Sequence, residues 1–222
     1  MRLLPLAAAL LIGACSFGSE GRDDSPAAAI AGIVPGLSGL VGQETADANA
    51  FPPGFGPQDL AENPSDFQLM WLPSFVAQAG LARIIQDNGR AETYESQYGF
   101  TAAFRDGMLV GTRGLPYDLM GASAEATRAA IRAGGGTAIR YHDTLNSLDQ
   151  IEQARFECTI VANGPDTVSL GLREVVGRKY TETCVNRRVQ FENLYWLDDS
   201  GDIMASRQFV SQTVAYLRSN RL

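Results

Sequence analysis

Tight turns of Asp, Asn and Gly recur along this chain, and each lies between two short runs rich in β-branched and aromatic residues. This pattern is typical of antiparallel hairpins, because Asn-Gly and Asp-Gly readily adopt the positive φ angles of type I′ turns. It predicts three hairpins: runs 81–85 and 91–96 around Asp87-Asn88-Gly89, runs 100–105 and 108–112 around Asp106-Gly107, and runs 191–197 and 203–210 around loop 198–202.

Four further runs have the same β-forming composition. One segment differs, because helix formers extend from an expected N-cap at Ser123 to Ala133 and stop at Gly134. The chain is therefore predicted to be all-β and mainly antiparallel, a large curved meander sheet or half-barrel of about ten strands with one or two short helices. The four runs are 137–143, 153–161, 167–175 and 179–189.

The N-terminus has the layout of a secretory signal. Arg2 precedes an apolar run, 3–12, which ends in Gly13-Ala14-Cys15. The run is too short to cross a bilayer, which takes roughly 20 residues. Its ending resembles the lipobox of bacterial lipoproteins, in which the Cys is acylated and becomes the first residue after cleavage. We therefore expect signal peptide 1–14 and lipidation (palmitate) at Cys15; the alternative is an ordinary cleaved signal with a chance Cys.

In lipoproteins with such a signal, Asp directly after the acylated Cys tends to retain the protein in the inner membrane. Here that residue is Ser16. We therefore expect lipid anchorage to the outer membrane, facing the periplasm. Removing residues 1–14 takes away one basic residue and changes the net charge from −7 to −8. A chain of this charge is not expected to bind nucleic acid.

Gly, Ser, Pro, Ala and Asp dominate residues 15–64, which predicts a lipidated flexible tether before a β-rich domain at 65–222. Within the tether, the apolar stretch 27–41 has a second interpretation as a docking or membrane-surface segment. Pro35 and three glycines argue against a stable helix there.

Cys158 and Cys184 remain once Cys15 is assigned to lipid. In an oxidising compartment they are expected to form a disulfide, whose loop of about 27 residues would stabilise the fold by roughly 3.5 kcal/mol. The alternatives are two buried thiols or a metal pair. Neither Cys lies in a CxxC motif and His142 is the only histidine, so no metal site is expected.

Several spaced segments resemble the YjbF/GfcB family of outer-membrane lipoproteins from group 4 capsule and exopolysaccharide operons. The resemblance covers about 81–217 and implies an all-β fold and a function in making or exporting surface polysaccharide, with no enzymatic activity. The segments are ETYES at 92–96, RDGMLVGTRGLPYDLM at 105–120, RYHD at 140–143, FEC at 156–158, ETC at 182–184, ENLYW at 192–196 and SRQFVS at 206–211.

The residues themselves offer no catalytic motif of the hydrolase, P-loop, zinc-protease or dinucleotide-binding kinds. A catalytic triad would need His142, whose neighbours on the same face of a strand are Arg140 and Thr144, whereas Asp143 points the other way. We interpret His142 as a partly exposed sheet residue, and expect neither catalysis nor a cofactor. A glycan hydrolase with two catalytic carboxylates stays an alternative, although the spacing of the Asp and Glu residues does not single out a pair.

The candidate binding residues are Arg113, Tyr195 and Trp196. Arg113 follows an apolar strand and leads into a turn, so it is expected partly inside, either paired with Asp118 or Glu92 or binding a ligand. For Tyr195 and Trp196 the favoured interpretation is core packing, and the alternative is a platform for sugar stacking.

These observations favour a non-enzymatic, membrane-anchored lipoprotein that assists exopolysaccharide or capsule production or export. Its expected partners are the outer membrane, through the lipid, and other proteins of the export system or the glycan itself. Two alternatives remain: a lipid or lipoprotein carrier, marked by an open apolar cavity, and a periplasmic glycan hydrolase, marked by two convergent carboxylates in a groove.

Overall fold

The computed structural model describes residues 51–76, 78–171 and 173–222. The expected signal 1–14, the lipidation site Cys15 and the apolar stretch 27–41 lie outside the described residues. Among the described residues, no helix is long and apolar enough to cross a bilayer.

Twelve strands form one antiparallel sheet, so the prediction of an all-β fold is confirmed. Two short helices, α1 (Pro57–Glu62) and α2 (Glu125–Arg132), and a 3₁₀ turn (Pro64–Asp66) complete the described part. The strands are β1 (Phe67–Trp71), β2 (Gly80–Asp87), β3 (Ala91–Ser96), β4 (Thr101–Arg105), β5 (Met108–Arg113), β6 (Gly121–Ala122), β7 (Gly135–Leu145), β8 (Ile151–Ser169), β9 (Glu174–Val185), β10 (Gln190–Leu197), β11 (Ile203–Ser211) and β12 (Ala215–Arg221).

Chain neighbours pair almost throughout, in the order β5-β4-β3-β2-β1-β12-β11-β10-β9-β8-β7-β6. The two outermost strands, β5 and β6, are consecutive in the chain and meet at the loop that joins them. Thr112 N donates to Leu119 O (2.8 Å), and Met120 N donates to Asp143 O of β7 (2.8 Å). The sheet therefore curves into a nearly closed barrel whose two edges are bridged by loop 114–120.

The rest of edge strand β5 is capped by side chains that belong to other strands. Leu109 N donates to Gln208 Oε1 (2.7 Å), and Leu109 O accepts from Arg140 Nη2 (3.1 Å). Backbone groups at a sheet edge need partners when they are buried. Gln208 and Arg140 supply them for Leu109, so the barrel closes without a regular ladder between β5 and β6, the two outermost strands.

The predicted hairpins are present, with one difference in turn type. Asp106 and Gly107 both have positive φ (49° and 77°), as a type I′ turn requires. Between β2 and β3 the loop has three residues and only Gly89 has positive φ (76°), so the predicted type I′ turn at Asn88-Gly89 is wrong. Gly89 supplies the one left-handed residue of this loop, a conformation that costs glycine little because it has no Cβ.

Runs 153–161 and 167–175, predicted as separate strands, are not separate. The single 19-residue strand β8 contains all of the first run and residues 167–169 of the second, and the chain turns after Ser169, where Leu170 N donates to Arg173 O (2.8 Å). The register shifts between Ala162 and Gly164, so a β-bulge accommodates the Gly-Pro pair within the strand. Gly164 and Pro165, a pair that usually marks a turn, here follow the bulge and stay paired with β9.

The tip of the long β8–β9 hairpin folds over the outer face of the sheet. Val168 and Leu170 pack with Trp196 and Ala205 in a separate core cluster, and Asn220 Nδ2 of β12 donates to Ser169 O (2.7 Å). Part of the sheet is therefore buried on both faces.

Helix α2 begins two residues later than Ser123, the predicted N-cap. Ser123 Oγ instead accepts a hydrogen bond from Tyr141 N (2.9 Å), which ties the start of the helix to β7. The predicted stop at Gly134 is confirmed, since this residue has φ 88°.

The folded part includes residues before the expected boundary at 64/65. Phe55 is buried and packs edge-to-face on Phe67, with ring centroids 6.4 Å apart. Helix α1 has Pro57 in its first turn, where a missing N–H costs no hydrogen bond. Pro57 therefore starts a helix in a segment predicted to have no regular element.

Candidate functional site

A fully buried ion pair lies at the centre of the interior. Arg140 Nη1 of β7 donates to Glu182 Oε2 of β9 at 3.1 Å, and neither side chain has exposed surface. Burying two charges is costly unless their remaining donors and acceptors are also satisfied. Arg140 meets this condition through Leu109 O and through His142, whose Nε2 accepts from Arg140 Nε at 3.0 Å.

Three further side chains donate hydrogen bonds to the Glu182 carboxylate. Tyr195 Oη and Asn193 Nδ2 of β10 donate to Oε2 (both 2.7 Å), and Thr127 Oγ1 of α2 donates to Oε1 (2.6 Å). Burial and the adjacent carboxylate raise the pKa of Tyr195 well above its ordinary value, so its hydroxyl stays protonated. With the bond from Arg140 to Leu109 O, this network links α2 to β5, β7, β9 and β10, and it leaves neither oxygen of Glu182 without a partner.

His142 lies at the inner end of a pocket and is almost fully buried (3% exposed), so the prediction of a partly exposed residue is wrong. The predicted register is right, because Arg140 lies on the same face and Asp143 on the other. Burial, then the charge of Arg140, lowers the pKa of His142 well below its ordinary value. The neutral ring accepts at Nε2, so its proton is on Nδ1.

Aromatic rings hold the His142 imidazole in place. It stacks on Phe191 and Phe209, with centroids 5.3 and 6.2 Å away, and meets Phe156 edge-on at 5.3 Å. No described residue accepts a hydrogen bond from Nδ1, and the ring is part of the pocket lining. His142 can therefore donate a hydrogen bond to a ligand in the pocket.

The pocket itself is half-open and has a volume of about 600 Å³. It lies between loop 114–120, the β7–β8 hairpin and the β11–β12 turn. Its lining combines apolar and polar groups, in the proportion typical of sites that fix a ligand's orientation with a few hydrogen bonds. The polar members are Asp118, His142, Thr144, Asn146, Asp149, Ser211, Gln212 and Thr213, and the apolar ones include Leu115, Tyr117, Leu145, Phe156, Val189 and Phe209.

Tyr117 is the most exposed aromatic side chain of the described residues and lies in the wall of the pocket (58% exposed). Leu145 also lines the pocket and pairs across the hairpin with Ile151, which is 68% exposed. An aromatic ring with one free face can stack on the apolar face of a ligand ring.

Two carboxylates line the pocket, and one of them is already engaged. Asp118 Oδ1 accepts from Thr112 Oγ1 (2.8 Å) and Leu115 N (3.2 Å), and Oδ2 accepts from Gly114 N (3.0 Å). Asp118 thus holds loop 114–120 in shape. The other carboxylate, Asp149, lies in the turn of the β7–β8 hairpin. No Lys or Arg is among the described residues that line the pocket.

Arg113 is exposed, not partly inside as predicted, and neither Asp118 nor Glu92 pairs with it. Its guanidinium donates to the carbonyls of Thr112, Leu119 (3.2 Å) and Met120 (3.2 Å). Glu92 instead accepts from Tyr94 Oη (3.2 Å). Arg113 therefore fastens the end of β5 to the end of loop 114–120, next to the pocket wall.

Tyr195 and Trp196 are both buried, at 0% and 5% exposed, as the favoured interpretation expected. Adjacent strand residues point to opposite faces. Tyr195 enters the interior network, whereas Trp196 lies under the β8–β9 tip, where its Nε1 donates to Asp166 Oδ2 (3.0 Å). Neither ring is available as a platform for a sugar.

The structure joins Cys158 of β8 to Cys184 of β9 in a disulfide, and the two residues are direct cross-strand partners. Their sulfur atoms lie within 4.8 Å of a Glu182 oxygen, a grouping that thiolates could use to hold a metal. In the disulfide both sulfurs are already bonded.

Sequence reasoning did not select Arg140 or Glu182 as site residues. Arg140 lies between Ile139 and Tyr141, an alternation that usually places the charged residue on the solvent face, and Glu182 lies between two threonines, which indicate neither face. The alternation of side chains along a strand could have indicated their burial. Arg140 shares a face with Ala138, and Glu182 shares one with Cys184 and Tyr180, which are residues that favour a core.

The described residues thus form a nearly closed antiparallel barrel with a half-open pocket and a buried ion pair in its interior. The chain belongs to the YjbF family, described as group 4 capsule polysaccharide lipoprotein, whose model matches residues 52–222. The resemblance noted from the sequence is confirmed. No curated protein matches the chain.

Among solved structures, the fold is similar to the crystal structure of the hypothetical lipoprotein YmcC from Escherichia coli (K12). The TM-score is 0.61, with 18% sequence identity, and the match covers 73% of this chain and 86% of that chain. At this level of identity the likeness concerns the fold alone.

Proposed function

We propose that this lipoprotein assists surface-polysaccharide production or export without catalysing a reaction, by binding a short segment of glycan in the pocket beside His142. Family membership supports the pathway, since the family is that of capsule polysaccharide lipoproteins. The observation that carries the binding site is the pairing of an exposed aromatic ring, Tyr117, with neutral hydrogen-bonding groups along one pocket.

A sugar ring has an apolar face and a rim of hydroxyl groups. Tyr117 offers a surface for the apolar face, while Thr144, Ser211 and Thr213 offer hydroxyls that both donate and accept. His142 Nδ1–H adds a donor whose direction is fixed by the Arg140 bond on the other side of the ring. These groups match a neutral, hydroxyl-rich ligand.

The same lining makes the two alternative functions less favourable. An acyl chain in the pocket would leave the polar side chains without partners, at a cost for each buried group. For glycan hydrolysis, the enzyme needs two free carboxylates, and Asp118 already accepts three hydrogen bonds, one from Thr112 of β5 and two from Gly114 and Leu115 of its own loop. Binding therefore fits the pocket better than lipid carriage or catalysis.

Anchorage through an acylated Cys15 would raise the effective concentration of the domain next to a membrane-bound export partner. Ser16 after that Cys favours the outer membrane, with the domain in the periplasm. The proposed partners are thus the glycan and proteins of the export system.

The test compares two tyrosines in a strain that lacks the gene. Complementation with Tyr117→Ala is expected to export less polysaccharide than wild type, because the stacking surface is lost. Tyr141→Ala is the matched control, since Tyr141 is also exposed (38%) but lies on the opposite face of β7 from His142. Protein level and melting temperature are measured for both. Equal export by wild type and Tyr117→Ala contradicts the pocket assignment, and normal export without the gene contradicts the pathway.

A further inference from the structure

Two arginines face each other on the outer surface, away from the pocket. Arg207 of β11 and Arg218 of β12 are direct cross-strand partners, and Trp71 of β1 is the next residue in the same row. Side chains directly opposite on one face have Cβ atoms about 4.5–5.5 Å apart, and like charges in this arrangement repel. The pair therefore needs a compensating negative charge.

Among the described residues, one carboxylate, that of Glu192, compensates the two positive charges. Glu192 Oε1 accepts from Arg207 Nη2 at 3.2 Å. Arg218 has no carboxylate within 4.0 Å among the described residues, and burial together with the charge of Arg207 lowers its pKa. The three side chains thus carry a net charge of one positive unit.

Aromatic rings hold both guanidinium groups in fixed planes. Arg207 lies over Tyr216 with its Cζ 4.6 Å from the ring centroid, and Arg218 lies over Trp71 at 5.0 Å. Among the described residues, the Nε atoms of both arginines are buried without a hydrogen-bond partner, and the Nη atoms of Arg218, a half-buried residue, donate no hydrogen bond. A stacked guanidinium keeps its edge N–H groups free for a planar acceptor.

We infer that Arg207 and Arg218 form a binding site for the carboxylate of an acidic sugar. The planar guanidinium of Arg218 can donate two parallel hydrogen bonds to a carboxylate. The second positive charge is that of Arg207 on the neighbouring strand. One carboxylate neutralises the net charge of the cluster, whereas a phosphate monoester brings about −1.5 to −2. That the acid belongs to a glycan rests on the proposed function; the anion site itself rests on the arginine geometry alone.

The site is separate from the pocket, whose described lining has no cation. The pocket would bind neutral hydroxyl groups of the glycan, and the arginine pair would bind a negatively charged group. An acidic polysaccharide long enough to reach both would then bind more tightly than either of its parts.

The experiment titrates the full-length lipoprotein, held in uncharged detergent micelles, and follows the indole N–H signal of Trp71 by NMR. The probes are methyl glucuronide, its neutral counterpart methyl glucoside, inorganic phosphate and glycerophosphoglycerol, the soluble part of an anionic lipid headgroup. The variants are Arg218→Gln, Arg218→Lys and the matched control Arg105→Gln, which removes an exposed arginine on β4.

Wild type and Arg105→Gln are expected to bind methyl glucuronide with the same Kd. Arg218→Gln, and methyl glucoside with wild type, are expected to show Kd values about tenfold or more higher, because a charged hydrogen-bonded pair is lost. Arg218→Lys keeps the positive charge but loses the planar pair of donors, and its Kd is also expected to rise. If Arg218→Gln has a lowered melting temperature, the Kd of Arg218→Lys provides the test.

An unchanged Kd in both Arg218 variants overturns the site, and so does equal binding of the neutral sugar. Tighter binding of phosphate or glycerophosphoglycerol than of the glucuronide overturns the sugar assignment in favour of free phosphate or a lipid headgroup. None of these results bears on Tyr117, so failure here is distinguishable from failure of the proposed pocket function.

Discussion

Arg140 Nη1 lies 3.1 Å from Glu182 Oε2 inside the barrel, and every other hydrogen bond of the interior network runs through one of these two residues or a direct partner of theirs. Removing one member leaves the other charge buried and unpaired. Glu182→Ala is therefore expected to lower the free energy of unfolding by about 3–5 kcal/mol, measured by urea denaturation.

The control for this prediction is the exposed pair Arg155–Glu157, whose atoms lie 2.9 Å apart. Glu157→Ala is expected to leave stability unchanged, because water screens this pair. The double variant Arg140→Met/Glu182→Gln is expected to lose less than the sum of its two single changes. Additive losses would mean that the two charges do not stabilise each other.

His142 makes stability depend on pH in a range where few other groups titrate. Its folded pKa lies well below the ordinary 6.5, so the unfolded chain binds more protons below that pH. Stability is therefore complete above about pH 6.5 and falls as the pH decreases, by at most about 1.4 kcal/mol per unit.

Because His142 is the only histidine, one variant isolates the effect. In His142→Gln the amide oxygen can still accept from Arg140 Nε, and the free energy of unfolding is expected to be flat between pH 7 and 5.5. The measurement is denaturant unfolding at several pH values. The same slope in wild type and variant would assign the titration to another group.

The disulfide Cys158–Cys184 closes a loop with a sequence separation of 26. The double variant Cys158→Ala/Cys184→Ala is expected to lose about 3.5 kcal/mol of unfolding free energy on the chain-entropy model. Alkylation of the unfolded, unreduced protein followed by mass analysis is expected to find neither thiol free. Two alkylated cysteines at these positions would rule the bond out.

Asp118 holds the loop that bridges the barrel edges. Asp118→Asn replaces one acceptor oxygen by a donor facing Gly114 N, so we expect a loss of about 1–2 kcal/mol and faster hydrogen exchange at Thr112 and Leu119. Asp149→Asn is the control, because it changes the other carboxylate of the same pocket. Equal exchange in both variants would show that the bridge does not depend on Asp118.

Lipidation and sorting are tested at the N-terminus. Cys15→Ala is expected to release the protein from membranes, and Ser16→Asp to move it from the outer to the inner membrane fraction. Both are read by membrane fractionation and blotting. Native protein already in the inner fraction, or an unchanged distribution of Ser16→Asp, would contradict the outer-membrane assignment.

The sequence predicted local features of the fold well, because a turn such as Asp106-Gly107 has few alternatives once φ must be positive. It predicted poorly where tertiary packing decided the outcome. Pro165 continues a strand because a bulge precedes it, and β1 and β12, with mixed polar and apolar residues, become strands because they pair with each other.

The candidate site was predicted only in part, for the same reason. Segment 112–115 lies next to the pocket, but Arg113 donates its hydrogen bonds to backbone carbonyls and does not face a ligand site. The interior pair Arg140–Glu182 joins residues 42 positions apart, and no local pattern indicates that an arginine and a glutamate will meet across a closed sheet. Tyr117 lies in segment 105–120, which resembles the family, but only the structure shows that its ring is exposed.

Side-chain capping of β5 also affects how copies of the protein behave beside one another. A bare strand edge can recruit the edge of an identical molecule, and proteins confined to one membrane surface meet their own copies often. Here Gln208 and Arg140 occupy the Leu109 backbone groups, and loop 114–120 occupies Thr112. At Leu109 and Thr112, β5 thus offers a neighbouring copy no free backbone N–H with which to extend the sheet, and interactions that hold the interior together also protect this strand edge.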